Sequence, residues 1–83
     1  MRILYFAWLR EKIGTAQEIL ELPPEVETVG ALIAWLKTRD AGHAAAFADQ
    51  KCVRCAVDQD FATAEASILG ASEIAFFPPV TGG

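Results

Sequence analysis

The run Ser72-Glu73-Ile74-Ala75-Phe76-Phe77 passes directly into Pro78-Pro79-Val80-Thr81-Gly82-Gly83. That junction constrains the fold more than any other part of the chain. The first half has strand composition and is apolar on both alternating faces, which suits a strand inside a sheet. Two prolines then stop it, because proline has no N–H to give a ladder and its φ is fixed. The strand must end at Phe77, and the chain must leave the domain along an extended, polyproline-like path. Two glycines lack Cβ and can pass through a channel too narrow for other residues. The expected division is a folded domain over residues 1–77 and a C-terminal tail over residues 78–83. The tail is expected to be mobile in the free protein and extended when bound.

Upstream, Arg2 to Leu9 is rich in aromatic and aliphatic residues and reads as a first strand. Arg10 to Gly14 is polar, ends in glycine and reads as the turn to a second strand over Thr15 to Leu22, near a sheet edge. Pro23-Pro24 ends that strand. Thr28 is placed to cap a helix whose apolar residues Val29, Leu32, Ile33 and Leu36 recur at helical spacing. Gly42 interrupts the pattern, and Ala44 to Phe47 suits a short further helical turn. Cys52 to Val57 reads as a third strand, Asp58-Gln59-Asp60 as a turn, and Phe61-Ala62-Thr63 as a short return before the last strand. One main helix packed on a mixed sheet of four to five strands gives an α+β, two-layer domain. First and last strands apolar almost throughout belong at its centre, which is the β-grasp, or ubiquitin-like, arrangement.

Size and charge narrow the function. Eighty-three residues make one domain with a small core, yet 53% of the residues are hydrophobic. Some of that apolar surface is expected to face a partner. A formal net charge of −4 leaves no basic stripe for nucleic acid or anionic membrane. The longest apolar stretch, Val29 to Leu36, is too short to span a bilayer. No charged-then-apolar leader precedes the first strand, so a cytoplasmic location is expected.

Cys52 and Cys55 form a lone C-x-x-C without the second pair that a four-cysteine zinc site needs. On a strand their offset of three puts the thiols on opposite faces, so both are read as structural. His43, the single histidine, has no cysteine or second histidine nearby and is assigned to the surface. No metal or bound cofactor is expected.

Alternation sorts the faces. Ile74 and Phe76 share one side of the last strand, with Ala75 and Phe77 on the other. Ile3, Tyr5 and Ala7 oppose Leu4, Phe6 and Trp8 on the first. One helix covers one face only. Phe6, Phe77 and Phe61 are therefore the candidate aromatic anchors of a partner interface near the tail. The competing reading tucks some of them into a minor core beneath residues 38–50.

At the tip of the tail the reactive group is the α-carboxylate of Gly83. It can be activated as an acyl-adenylate and converted to another acyl species. The stretch Ala75-Phe76-Phe77-Pro78-Pro79-Val80-Thr81-Gly82-Gly83 resembles the C-terminal signature of the small subunits of molybdopterin synthase, ubiquitin-like sulfur carriers. Tyr5-Phe6-Ala7, Leu9-Arg10-Glu11 with Ile13-Gly14, and Ala56-Val57-Asp58-Gln59 are similar to other parts of that family. Asp58 stands where asparagine is usual, and Cys52 and Cys55 lie outside the pattern.

The resemblance implies that an ATP-dependent, ubiquitin-activating-like enzyme adenylates Gly83 and that a sulfur donor converts the adenylate to a thiocarboxylate. Pro78, Pro79, Val80, Thr81 and Gly82 would be inserted into the large synthase subunit, within a heterotetramer. There Gly83 would give its sulfur to a pyranopterin precursor. The small subunit would not catalyse alone. Other readings are a sulfur carrier for thiazole synthesis, a ubiquitin-like modifier of lysines, and a β-grasp interaction module with a passive tail.

Overall fold

The computed structural model describes residues 1–79. Its elements are β1 (Arg2–Tyr5), α1 (Trp8–Ile13), β2 (Gln17–Ile19), α2 (Val29–Lys37) and α3 (Ala41–Ala46). A single 3-10 turn (Gln50–Cys52), β3 (Arg54–Val57), β4 (Asp60–Ala62) and β5 (Glu73–Phe77) complete them. The five strands form one sheet in the order β2-β1-β5-β3-β4. β5 is parallel to β1, with Tyr5 beside Phe76, and antiparallel to β3, with Cys55 beside Phe76. The first and last strands are thus neighbours at the centre of a β-grasp sheet.

The helical stripe is where the spacing puts it. The Thr28 hydroxyl accepts the Ala31 N–H at 3.1 Å, a cap worth about 1 kcal/mol. Val29, Leu32, Ile33 and Leu36 are all buried against the sheet. Burying each such side chain contributes roughly 1.5–3 kcal/mol. They meet Ile3, Tyr5, Ile74 and Phe76 from the central strands in one core. Phe47 closes that core, its ring edge-on to Phe76 with centroids 4.9 Å apart.

Several local expectations are corrected. The first strand stops at Tyr5, and Trp8–Ile13 is a helix rather than strand end and turn. Leu9, four residues before Ile13, is its fully buried anchor. Gly14, at φ 95°, ends this helix in the left-handed conformation that glycine adopts without penalty. β2 covers only Gln17–Ile19 of the expected eight residues. Gly42 lies inside α3 instead of breaking it. A Cβ there would stand 2.6 Å from the Lys12 carbonyl oxygen, so the missing side chain lets α3 lie close on α1. Cys52 ends the 3-10 turn and is exposed, so the third strand begins two residues later, at Arg54. Two short helices, α1 and α3, join the main helix α2 over the sheet.

The hairpin between β3 and β4 turns on Asp58 and Gln59, with φ of 48° and 74°. Positive φ at both central residues is the type I′ pattern that matches strand twist. Asp58 also accepts the N–H groups of Ser72 and Glu73 through Oδ1, both at 3.0 Å, which ties the hairpin to the start of β5.

His43 is not a surface residue: it is 3% exposed. Its Nε2 lies 2.9 Å from Glu18 Oε2 and its Nδ1 2.8 Å from Asp40 Oδ1. The Tyr5 hydroxyl donates to the same Glu18 oxygen at 2.7 Å. Burial, joined by the Glu18 hydrogen bond, pushes the Tyr5 phenol far above its ordinary value. Burial also acts to raise Glu18, but hydrogen bonds from His43 and Tyr5 outweigh it and leave the carboxyl below its usual range. Asp40 is lowered by the His43 backbone N–H and then by the His43 ring.

Candidate functional site

The helices cover one face of the sheet, and pairing shows what the other carries. Directly paired residues share a face. Leu4, Ala75, Ala56 and Phe61 therefore form one row across β1, β5, β3 and β4. In the next row Phe77 stands beside Arg54. Arg2 and Glu73 are paired at the opposite end of the face, joined by a 2.9 Å ion pair. The open face is thus apolar in its middle and toward the end where β5 leaves the sheet.

Three aromatic residues were expected there. Phe77 is half-buried on β5, and Phe61 on edge strand β4 is 84% exposed. The structure brings these two together, ring centroids 5.9 Å apart. Phe6 lies just past β1 and is 48% exposed, held to β5 by its N–H on the Phe76 carbonyl at 3.0 Å. It follows Tyr5, the register partner of Phe76, so it continues β1 toward the level of Phe77. The residue that does enter a core near residues 38–50 is Phe47.

Pro78 and Pro79 carry the chain off the sheet along a groove of about 510 Å³. Trp8 and Lys12 of α1, Ala45 and Ala46 of α3, and Ala48, Asp49 and Cys52 line the rest of it. Sequence reading missed this groove, because its walls come from two short helices that carry weak periodic signals. Val80, Thr81, Gly82 and Gly83, which the sequence singles out for the chemistry, lie outside the described residues.

Neither cysteine is set up as a nucleophile. The Cys52 thiol donates to Asp49 Oδ2 at 3.5 Å, and that hydrogen bond and the adjacent negative charge push it up. Cys55 is buried in β3, and burial raises it too. A thiol held protonated is a poor nucleophile. Among the described residues no cluster of three or more His, Cys, Asp or Glu is placed to hold a metal ion. No helix among them is long and apolar enough to cross a membrane. The described part of the site offers shape, apolar surface and an exit path.

This is the surface of a small β-grasp carrier or docking domain. The chain belongs to the ThiS family, whose sequence pattern matches residues 3–83. It is 35% identical to the molybdopterin synthase sulfur carrier subunit of Escherichia coli strain K12, over 100% of this chain and 99% of that protein. It is 34% identical to the protein of the same name from Haemophilus influenzae, with the same coverage. Among solved structures it is similar to a putative molybdopterin converting factor, subunit 1, from Pyrococcus furiosus. That match has a TM-score of 0.75 and 28% identity over 95% of each chain. SAMP1 from Haloferax volcanii shares the fold, with a TM-score of 0.70 and 22% identity over 99% of this chain and 97% of its own.

Proposed function

We propose that this chain is a sulfur carrier in molybdenum cofactor biosynthesis, the small subunit of a molybdopterin synthase. The observation that carries the reading is the junction at Phe77. A central, fully paired strand runs straight into Pro78-Pro79, beside an open apolar face, in a chain 35% identical over its whole length to a carrier of that name.

The chemistry follows from the groups available. A carboxylate is a poor electrophile. When a Gly83 carboxylate oxygen attacks the α-phosphorus of ATP, pyrophosphate leaves and an acyl-adenylate forms. Sulfide released by a sulfur donor then attacks the acyl carbon, and AMP leaves with the oxygen. The resulting thiocarboxylate is a soft nucleophile that carries sulfur covalently. When that sulfur attacks the pyranopterin precursor and displaces an oxygen substituent, a thioester forms, and its hydrolysis by water leaves the sulfur on the precursor and restores the carboxylate. The activating enzyme supplies the ATP site, and the large subunit supplies the groups that polarise the precursor. This chain supplies the sulfur-bearing end and its positioning. Phe77 and Phe61, with Phe6 beyond them, are the anchors that seat the large subunit on the open face.

The test is positional. Incubation with the activating enzyme, ATP and a sulfur source should add the mass of one oxygen-to-sulfur exchange, confined to Gly83. Adding one residue after Gly83 should leave folding intact. It should abolish sulfur transfer, because the acyl carbon moves about 3.5 Å from where both partners need it. Full molybdopterin formation by the extended protein, without trimming, would overturn the mechanism. A passive interaction module would tolerate loss of Gly83, and a carrier would not.

A further inference from the structure

The buried cluster around His43 takes no part in the sulfur chemistry, and it joins two elements distant in sequence. Glu18 is on edge strand β2, and Asp40 is the N-cap of α3. His43 itself sits in α3, with a carboxylate oxygen within 2.9 Å of each ring nitrogen. An ionised carboxylate only accepts hydrogen bonds. A neutral imidazole has one N–H and one lone pair, so it can satisfy one of these carboxylates and must turn its lone pair toward the other. The imidazolium donates to both. We propose that His43 is a proton-operated clasp that holds β2 to α3 while its ring is charged and releases one side when the ring loses its proton.

The surroundings favour a two-state device. Four groups face or flank the ring: Tyr5 from β1, Glu18 from β2, Arg39 from the end of the α2–α3 connection, and Asp40 at the α3 cap. Arg39 reaches the second Glu18 oxygen at 3.7 Å. With the ring charged, two carboxylates are balanced by two cations. Without that proton one carboxylate loses its cation, a loss that costs more at Glu18, whose side chain is 17% exposed, than at Asp40, at 59%. Tyr5 packs its ring edge-on against His43 at 6.0 Å between centroids and keeps its own proton, so it stays a donor to Glu18. Both carboxyls lie below their ordinary range, so they remain acceptors as the ring titrates.

Release should be felt locally. β2 has three residues and, among the described residues, pairs only with β1. α3 has six residues and lies against α1 and α2. Ala45 and Ala46 of α3 also wall the groove under Pro78 and Pro79, so the ring's charge state reaches the root of the tail. None of this depends on the sulfur-carrier reading.

His43 is the only histidine, so its ring resonances in the full chain are read without ambiguity. The experiment is a pH titration by NMR, following the ring nitrogens together with amide exchange corrected for the intrinsic rate. On the acid side of the ring's titration, both ring N–H protons should be visible, shielded from solvent by their carboxylates. As the ring loses its proton, protection of α3 and β2 amides should fall about tenfold, the factor set by loss of a charge-assisted hydrogen bond. Amides of β3 and β5 should not follow. His43→Gln, which cannot bridge two carboxylates as a cation, should show low α3 and β2 protection with no step. Should that variant fail to fold, the titration of the unaltered chain decides alone. Ring N–H protons in fast exchange, or α3 and β2 protection indifferent to the ring's titration, would overturn the clasp.

Discussion

Ala7 holds a positive-φ backbone, at φ 56° and ψ −133°. Those angles suit the first central residue of a type II′ turn, a position that favours glycine because a Cβ crowds the backbone there. Strain of this kind costs roughly 1–3 kcal/mol. Ala7→Gly should relieve it and, after the entropy glycine adds to the unfolded chain, stabilise the domain by about 1 kcal/mol. A thermal midpoint raised by roughly 4–8 °C would show this. The same residue explains why α1 escaped the sequence reading: an alanine gives no turn signal, so Phe6-Ala7-Trp8-Leu9 looks like continued strand. Alternation was more informative at Phe76 and Phe77. Phe76 is fully buried and Phe77 is half-buried on the open face. Phe76→Ala should cost about 3–5 kcal/mol of folding stability. Phe77→Ala should cost less in folding and weaken large-subunit binding by about 2 kcal/mol. Denaturant unfolding and a binding titration on both variants separate the two roles, and a reversed order would mean the faces are exchanged.

At the level of elements, α2 was legible because its cap and four-residue stripe are all local. The His43 cluster was not. Its partner Glu18 lies 25 residues away on a strand, and only Asp40, three residues before it, is within reach of a local pattern. Joining an edge strand to a helix in this way makes stability depend on acid. Glu18 titrates lower in the folded protein than in the unfolded chain. While the His43 ring is charged, its contribution is therefore present above the ordinary carboxylate range and is lost as pH falls through the lowered value. Glu18→Gln should be less stable than the parent near neutral pH, and the gap should close as the solution is acidified through that range. Urea unfolding at a series of pH values measures it; a gap of constant size would remove the carboxylate from the account.

For the molecule as a whole, two apolar strands at opposite ends of the sequence were enough to place β1 and β5 at the sheet centre. The proline pair was enough to say where β5 must stop. The groove at the root of the tail was hidden, since it exists only once α1 and α3 have packed across a glycine. Parallel pairing of Arg2–Tyr5 with Glu73–Phe76 has a further, mechanical consequence. A load drawn along the chain at Phe77 and resisted at Arg2 runs lengthwise through the β1–β5 ladder, so its hydrogen bonds must give way in shear together. A load between Phe77 and its antiparallel neighbour Arg54 opens the β3–β5 ladder one rung at a time. Single-molecule pulling through handles at residues 2 and 77 should therefore need distinctly more force than through handles at 54 and 77, since forced unfolding reports the barrier along the direction pulled. A domain anchored this way can have its C-terminal end gripped and drawn taut by another protein without coming apart.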